Sequence, residues 1–196
     1  MARAFIRLMR PHQWIKNGFV FLGLVFGHGW EDGTLVAEVL ALFAAFCFVS
    51  SAVYVMNDIA DRDADRLHST KRSRPLARGE VGMGNAVALC IALALGGLGL
   101  AAAVSPSALL IAAAYVGLNF AYSAGLKHVA ILDVFMIAGG FMLRILAGTV
   151  GIGIAPSKWL LLCGLMLTLF LGFCKRRAEL LSVRSEERRV GKECRL

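Results

Sequence analysis

The sequence predicts an all-α fold, a polytopic bundle of membrane-spanning helices, and three observations carry that reading. Of 196 residues, 58% are hydrophobic and only 17% charged, with a mean hydropathy of +0.70, more apolar than a soluble domain that must cover itself with polar surface. The apolar residues fall into six runs of roughly 13 to 24 residues, the lengths that cross or nearly cross a bilayer. The Lys and Arg sit at the ends of these runs and form no stripe with aromatics between them. The net charge of +8 therefore reads as membrane topology and phosphate binding, with no nucleic-acid surface.

Residues 2–9 place Arg3, Arg7 and Arg10 opposite Phe5, Ile6 and Leu8, which suits a short helix lying in the membrane interface. Residues 18–30 form the first expected span, short but lengthened by Trp14, Ile15 and a snorkelling Lys16. Glu31-Asp32-Gly33 is a turn, and 34–56 is a second span of ample length. Residues 57–81 are a charged loop. The third span, 82–104, carries Gly96, Gly97 and Gly99, which allow close helix approach. Ser105-Pro106-Ser107 turns into a fourth span, 108–122, which contains a polar Asn119. A short basic connection, Gly125-Leu126-Lys127-His128, leads to a fifth span, 129–152, with Asp133 near its start and Arg144 inside it. Ala155-Pro156-Ser157-Lys158 turns into a sixth, 159–174, which ends in Lys175-Arg176-Arg177-Ala178-Glu179.

Loops on successive spans alternate sides. The N-terminus, the loop after span two, the connection after span four and the end of span six share one side and hold nearly every Lys and Arg outside the spans. By the positive-inside rule that side is cytoplasmic. Cys47, Cys90, Cys163 and Cys174 lie in apolar runs without metal-ligand spacing, His12, His28, His68 and His128 are scattered, and residues 1–10 lack the uninterrupted apolar stretch of a cleavable signal peptide.

The chemistry concentrates where the second span surfaces, in Asn57-Asp58-x-x-Asp61-x-x-x-Asp65. On a continuing helix these three acids share one face, at i, i+3 and i+7. Clustered carboxylates repel unless a cation sits between them, and hard oxygen ligands of this kind suit Mg²⁺, which usually also binds substrate phosphates. The alternative is that Arg62, Arg66 and the basic run from Lys71 to Arg74 neutralise these acids in a solvated loop. Arg144 calls for a partner inside the membrane; Asp133, three turns away, is one candidate and a substrate phosphate the other.

Several segments together resemble one family. They are Arg10-Pro11-His12-Gln13-Trp14-Ile15-Lys16-Asn17, the Asn57 to Asp65 motif, Lys71-Arg72-Ser73-Arg74-Pro75, Tyr122-Ser123-x-x-Leu126-Lys127, Asp133-Val134, Gly140-Phe141-x-Leu143-Arg144-x-x-Ala147-Gly148 and Lys175-Arg176-Arg177-x-Glu179. The set, covering 5–181, resembles the UbiA-type intramembrane prenyltransferase superfamily, in particular its decaprenyl-phosphate phosphoribosyltransferase branch. The basic third motif, where aromatic-prenylating members carry a second Asp-rich run, favours that branch, since a lipid phosphate needs cationic ligands.

The resemblance implies a Mg²⁺-dependent transferase of the bacterial inner membrane, multi-pass, with its N-terminus and active site cytoplasmic. It would move 5-phosphoribose from 5-phosphoribosyl 1-diphosphate to a polyprenyl phosphate for lipid-linked sugar synthesis. It implies Asn57, Asp58, Asp61 and Asp65 as catalytic residues, with Asp58, Asp61 and Asp65 holding the metal. Lys16, Lys71, Arg72, Arg74, Tyr122, Lys127, Arg144, Lys175, Arg176, Arg177 and Glu179 would bind substrate phosphates. It also implies about nine spans, each a closed helix because lipid cannot satisfy a bare backbone, so that about six would be present in a domain of residues 1–183. Residues 184–196, polar and without apolar periodicity or family likeness, are expected to lie outside that domain. Competing readings are prenyl transfer to a small aromatic acceptor, a transporter or lipid-binding protein, for which the sequence shows no internal duplication, and an inactive fragment.

Overall fold

A computed structural model describes residues 2–68, 71–123 and 130–193 and, within these, the side chains other than those of Ala2, Ala130, Glu179, Leu180 and residues 182–193. All the regular structure among them is helical. The α-helices are α1 (Ala2–Met9), α2 (Leu22–Phe26), α3 (Gly33–Ala60), α4 (Arg62–Leu67), α5 (Met83–Val104), α6 (Pro106–Ser123), α7 (Ala130–Ala147) and α8 (Lys158–Glu193), with 3-10 segments at Pro11–Phe21, Gly29–Glu31, Lys71–Ser73 and Val150–Ile152.

Helix α3 is the axis of the bundle. Of its apolar window 61% is buried, against 17% for those of α5, α6 and α8, because α1, the Pro11–Phe21 segment, α5 and α6 all pack around it. Asp32 caps its N-terminus, accepting from the Thr34 amide at 2.8 Å and from the Thr34 hydroxyl. Those bonds hold the Asp32 carboxyl below the usual aspartate range, so the cap is at full strength above that range and fades as pH falls through the lowered value. One apolar cluster gathers Val39, Leu42, Phe46 and Val49 of α3 with Ala108, Ala112 and Tyr115 of α6 and Ala147 of α7. A second joins Ala4 and Leu8 of α1 to Val55 of α3 and to Leu76 and Val81. The helix expected at 2–9 therefore packs Ala4 and Leu8 on the bundle with Phe5 partly buried beside them, while Ile6 of the expected apolar face stays exposed.

Among the described residues, five helices are long and apolar enough to cross a membrane, those beginning at Gly33, Met83, Pro106, Ile131 and Lys158, where the sequence led us to expect six. The correction falls on 18–30. Here the chain forms an eleven-residue 3-10 helix, Pro11–Phe21, running into the five-residue α2. At about 2.0 Å rise per 3-10 residue and 1.5 Å per α residue, the pair still extends about 30 Å, a bilayer's hydrocarbon depth. The reason lies in a backbone crossing that no periodicity reveals. A Cβ on Gly23 would stand 1.7 Å from the Gly148 carbonyl oxygen, and one on Gly148 would stand 1.7 Å from that of Val20. The segment is laid directly on the end of α7, and both positions must be glycine.

Of the three glycines expected to admit a neighbouring helix, Gly97 does so, since a Cβ there would meet Val49 Cγ1 at 2.7 Å and the Ala45 carbonyl at 2.8 Å, whereas Gly99 faces open space. The stretch 57–81 is more ordered than a solvated loop. Helix α3 runs on to Ala60, α4 follows, and Pro75, Leu76, Ala77 and Val81 are buried. Helix α8 continues past the expected 174 to Glu193.

Candidate active site

The last turns of α3 deliver Asn57 and Asp58 to the polar end of the bundle. Asp58 is buried, 2% exposed, and its Oδ1 accepts from Arg10 Nη2 at 2.5 Å and from Arg74 Nη1 at 3.2 Å. The same Arg74 nitrogen donates to Oδ2 of the buried Asp65 at 2.6 Å. Two acids and two guanidiniums thus form one compact, charge-balanced cluster. Arg10 is set up by an unusual backbone, φ 52° and ψ 59°, which turns the chain from α1 into Pro11 and stacks the guanidinium 5.0 Å from the Tyr54 ring. A non-glycine residue in this region costs energy that surrounding contacts must offset, and the Asp58 pair does so. Arg7 ties the following loop down, donating to the Ser73 carbonyl at 3.3 Å and pairing with Glu80.

Two cavities meet beside this cluster. The mouth, about 590 Å³, is lined by Arg10, Asp58, Asp61, Lys71, Arg74, Lys175 and Arg176 among others. The inner cavity, about 420 Å³, runs between α3, α6, α7 and α8, with Lys16, Arg144 and Lys175 set among apolar walls such as Val53, Leu118, Phe141 and Leu171. Tyr54, Asn57, Tyr122 and Lys175 line both, so they form the junction.

Arg144 is buried, 6% exposed. Its Nε donates to Asn17 Oδ1 at 2.8 Å, Nη1 to the Gly140 carbonyl at 2.8 Å and Nη2 to the Tyr115 hydroxyl at 2.9 Å, with the Tyr115 and Phe141 rings over its cationic carbon. All these partners are neutral, and they aim a desolvated cation at the inner cavity. The Asp133 pairing considered from sequence does not form. Three turns of helix put the two side chains out of reach, and Asp133 instead pairs with Arg176 Nε at 2.8 Å while accepting from the Tyr122 hydroxyl at 2.6 Å.

The three acids do not close around one point. Asp58 and Asp65 share Arg74, Asp61 occupies the break between α3 and α4 at φ −91° and ψ 4°, and no group of three His, Cys, Asp or Glu among the described residues stands close enough to hold a metal. Magnesium, however, commonly takes one or two protein carboxylates and completes its shell with phosphate and water. Asp58 and Asp61, both on the mouth wall, fit that donor set; Asp65, held by Arg74, stands behind it.

Of the residues expected to bind phosphate, Lys16 and Arg144 line the inner cavity, Lys71, Arg74 and Arg176 the mouth, and Tyr122 and Lys175 both. Arg72 and Arg177 are exposed and line neither. Lys127 and the side chain of Glu179 lie outside the described residues. Sequence reasoning missed the roles of Arg10, Asn17, Tyr54 and Tyr115. Arg10 and Asn17 bound one of the resembling segments, which was the available signal. Asn17 also donates to Cys47 Sγ and Ser50 Oγ, each at 3.3 Å, so a buried amide locks the Pro11–Phe21 segment to α3 and to Arg144 at once.

This geometry has counterparts in known proteins. The chain is 37% identical over 186 residues to the decaprenyl-phosphate phosphoribosyltransferase of Corynebacterium glutamicum, covering 92% of this chain and 56% of the relative. It is 36% identical over 184 residues to the enzyme of that name from Mycolicibacterium smegmatis, covering 92% and 58%; it therefore spans little more than half the length of either. Its fold is similar to that of a UbiA homolog from Archaeoglobus fulgidus bound to GPP and Mg²⁺, with a TM-score of 0.71 at 25% identity over 85% of this chain and 60% of that one. The profile of the UbiA prenyltransferase family matches residues 18–192, and with an all-helical bundle built around the Asn57 to Asp65 turn, this multi-pass membrane chain belongs to that family.

Proposed function

We propose that the protein transfers 5-phosphoribose from 5-phosphoribosyl 1-diphosphate to a polyprenyl phosphate with the help of Mg²⁺. One observation carries the reading: the inner cavity presents Lys16, Arg144 and Lys175 and, among the described residues lining it, no carboxylate. The phosphate of a lipid acceptor needs cations in such a chamber, and its isoprenoid chain suits the apolar walls. The names of the curated relatives support the same choice.

In this account the mouth receives the donor. Arg10, Lys71, Arg74, Lys175 and Arg176 outnumber Asp58 and Asp61 there, so the wall attracts a diphosphate. Asp58 and Asp61 would hold the magnesium, which when bound neutralises charge on the departing diphosphate. Lys175, on both cavities, sits where donor and acceptor phosphates approach each other. A lipid phosphate oxygen forms the new bond to the anomeric carbon as the carbon–oxygen bond to diphosphate breaks, and the diphosphate leaves with the electron pair. The protein supplies no nucleophile; its contribution is placement and a fixed electrostatic field. The distribution of basic residues supports a mouth that faces the cytoplasm, and the proposed setting is a bacterial inner membrane.

Binding tests the inner cavity directly. A short polyprenyl monophosphate should bind at least tenfold more tightly than the matching alcohol, and Arg144→Gln should remove about tenfold to a hundredfold of that affinity, the worth of a charge-assisted bond. Equal affinity for phosphate and alcohol would rule out a lipid phosphate site. At the mouth, Asp61→Asn should lower transfer by roughly a hundredfold while leaving the melting temperature near wild type, because Asp61 sits at a helix break with its carboxylate on the cavity wall. Turnover near wild type in that variant would remove Asp61 from the metal site.

A further inference from the structure

Asn17 is wholly buried and lines neither cavity, yet it stands where the Pro11–Phe21 segment, α3 and Arg144 meet. Side chains three apart eclipse on a 3-10 helix, so Trp14, Asn17 and Val20 form one stripe along this segment. Trp14 Nε1 donates to Ser51 Oγ at 3.0 Å, and the backbone of Val20 is laid on Gly148. Between these two anchors the place of the Asn17 side chain is set.

Its orientation is set by chemistry. A guanidinium only donates, so the 2.8 Å contact with Arg144 Nε requires the amide oxygen on that side. The amide nitrogen then faces α3, where Cys47 Sγ and Ser50 Oγ each lie at 3.3 Å. An aspartate has nearly the same shape as an asparagine, and a buried arginine ordinarily takes a carboxylate as its partner, because an uncompensated charge away from water is costly. Here an amide occupies the place such a carboxylate would fill. The other hydrogen-bond partners, the Gly140 carbonyl and the Tyr115 hydroxyl, are neutral as well. The socket fixes the guanidinium and leaves its charge to be met from the inner cavity, which Arg144 lines.

We infer that Asn17 is a positioning residue that holds Arg144 without neutralising it, so that the charge of the arginine is met by a phosphate entering the inner cavity. The inference rests on the lipid-phosphate reading above and adds why an amide, in place of an acid, stands behind the arginine. Asn17 acts through Arg144, and Trp14 and Val20 hold it in register.

The test compares equilibrium binding of a short polyprenyl monophosphate and of the matching alcohol to the chain in detergent, with melting temperatures alongside. Asn17→Asp should melt near wild type, since the new carboxylate pairs with Arg144. It should lose about tenfold to a hundredfold in monophosphate affinity, the worth of a charge-assisted bond, with alcohol binding within about twofold. Asn17→Leu, similar in size and uncharged, should lose about tenfold for the monophosphate with the alcohol again held, and it decides the matter if the Asp variant does not fold. In an Arg144→Gln background, Asn17→Leu should change monophosphate binding by less than about twofold, because its effect runs through the arginine. Three results would each overturn the inference: monophosphate binding at wild-type strength in Asn17→Asp, equal losses for both ligands in Asn17→Leu, or a further loss in the double variant. In each case a wild type that prefers the monophosphate leaves the lipid-phosphate reading standing. A wild type indifferent to the phosphate removes that reading, and the inference goes with it.

Discussion

Gly148→Ala is expected to cost about 3 kcal/mol or more in stability, the upper end for overpacking, and to leave little folded protein in a membrane. The added Cβ would lie 1.7 Å from the Val20 carbonyl oxygen, 2.7 Å from its carbon and 3.1 Å from the Val20 Cα. All three are backbone atoms, so no rotamer change relieves the overlap and the Pro11–Phe21 segment must lift off α7. Asn17 lies one 3-10 turn before Val20, and lifting it would break the 2.8 Å bond that holds Arg144 Nε. The damage should therefore reach the inner cavity. Gly99→Ala is the control: a Cβ there meets nothing within 4 Å, and replacing an interior helical glycine with alanine ordinarily gains about 0.5–1 kcal/mol. Thermal melts in detergent compare the pair, and a Gly148→Ala protein as stable as wild type would show that the backbones do not cross there.

Arg74→Gln should be the most damaging change at the mouth, and the one most responsive to magnesium. The arginine serves two carboxylates that are 3% and 4% exposed, while its own side chain is 27% exposed. Removing it leaves Asp65 without that cation and Asp58 with Arg10 alone. Breaking a fully buried pair costs about 3–5 kcal/mol; partial exposure and the surviving Arg10 contact bring this nearer to about 2 kcal/mol. A guanidinium thus occupies the place between two acids of the motif where the sequence suggested a metal. A divalent cation able to take that place should raise the melting temperature of Arg74→Gln by several degrees more than that of wild type, and a chelator should abolish the difference. Identical responses to magnesium in the two proteins would mean that the ion does not take the place between Asp58 and Asp65.

The contrast between what was legible and what was not follows from sequence separation. The third and fourth expected spans nearly coincide with α5 and α6, because Gly82 and the Ser105-Pro106 turn punctuate the chain locally. The i, i+3, i+7 spacing rightly grouped Asp58 with Asp65, yet it could not show that Arg74 lies between them, since that depends on the path of the intervening loop. Arg10 and Asp58 are 48 residues apart and Arg144 and Asn17 are 127 apart, and no local pattern joins such pairs. The close approach of the 11–21 segment to Gly148, just past the end of a distant helix, was hidden for the same reason. One candidate could have been set aside from the sequence. Asp133 and Arg144 on one helix stand about 16 Å apart along its axis, beyond the reach of an arginine, so rise per residue alone disfavoured their pairing.

The central claim is that phosphoribose passes from the mouth to a phosphate in the inner cavity. Membranes carrying the protein, given Mg²⁺ and a polyprenyl phosphate, should be offered labelled 5-phosphoribosyl 1-diphosphate or labelled geranyl diphosphate with a small aromatic acceptor, and the products extracted and separated. The account predicts label in a lipid-linked phosphosugar from the first donor and none in a prenylated aromatic from the second. A prenylated aromatic product, with no lipid-linked sugar, would contradict it.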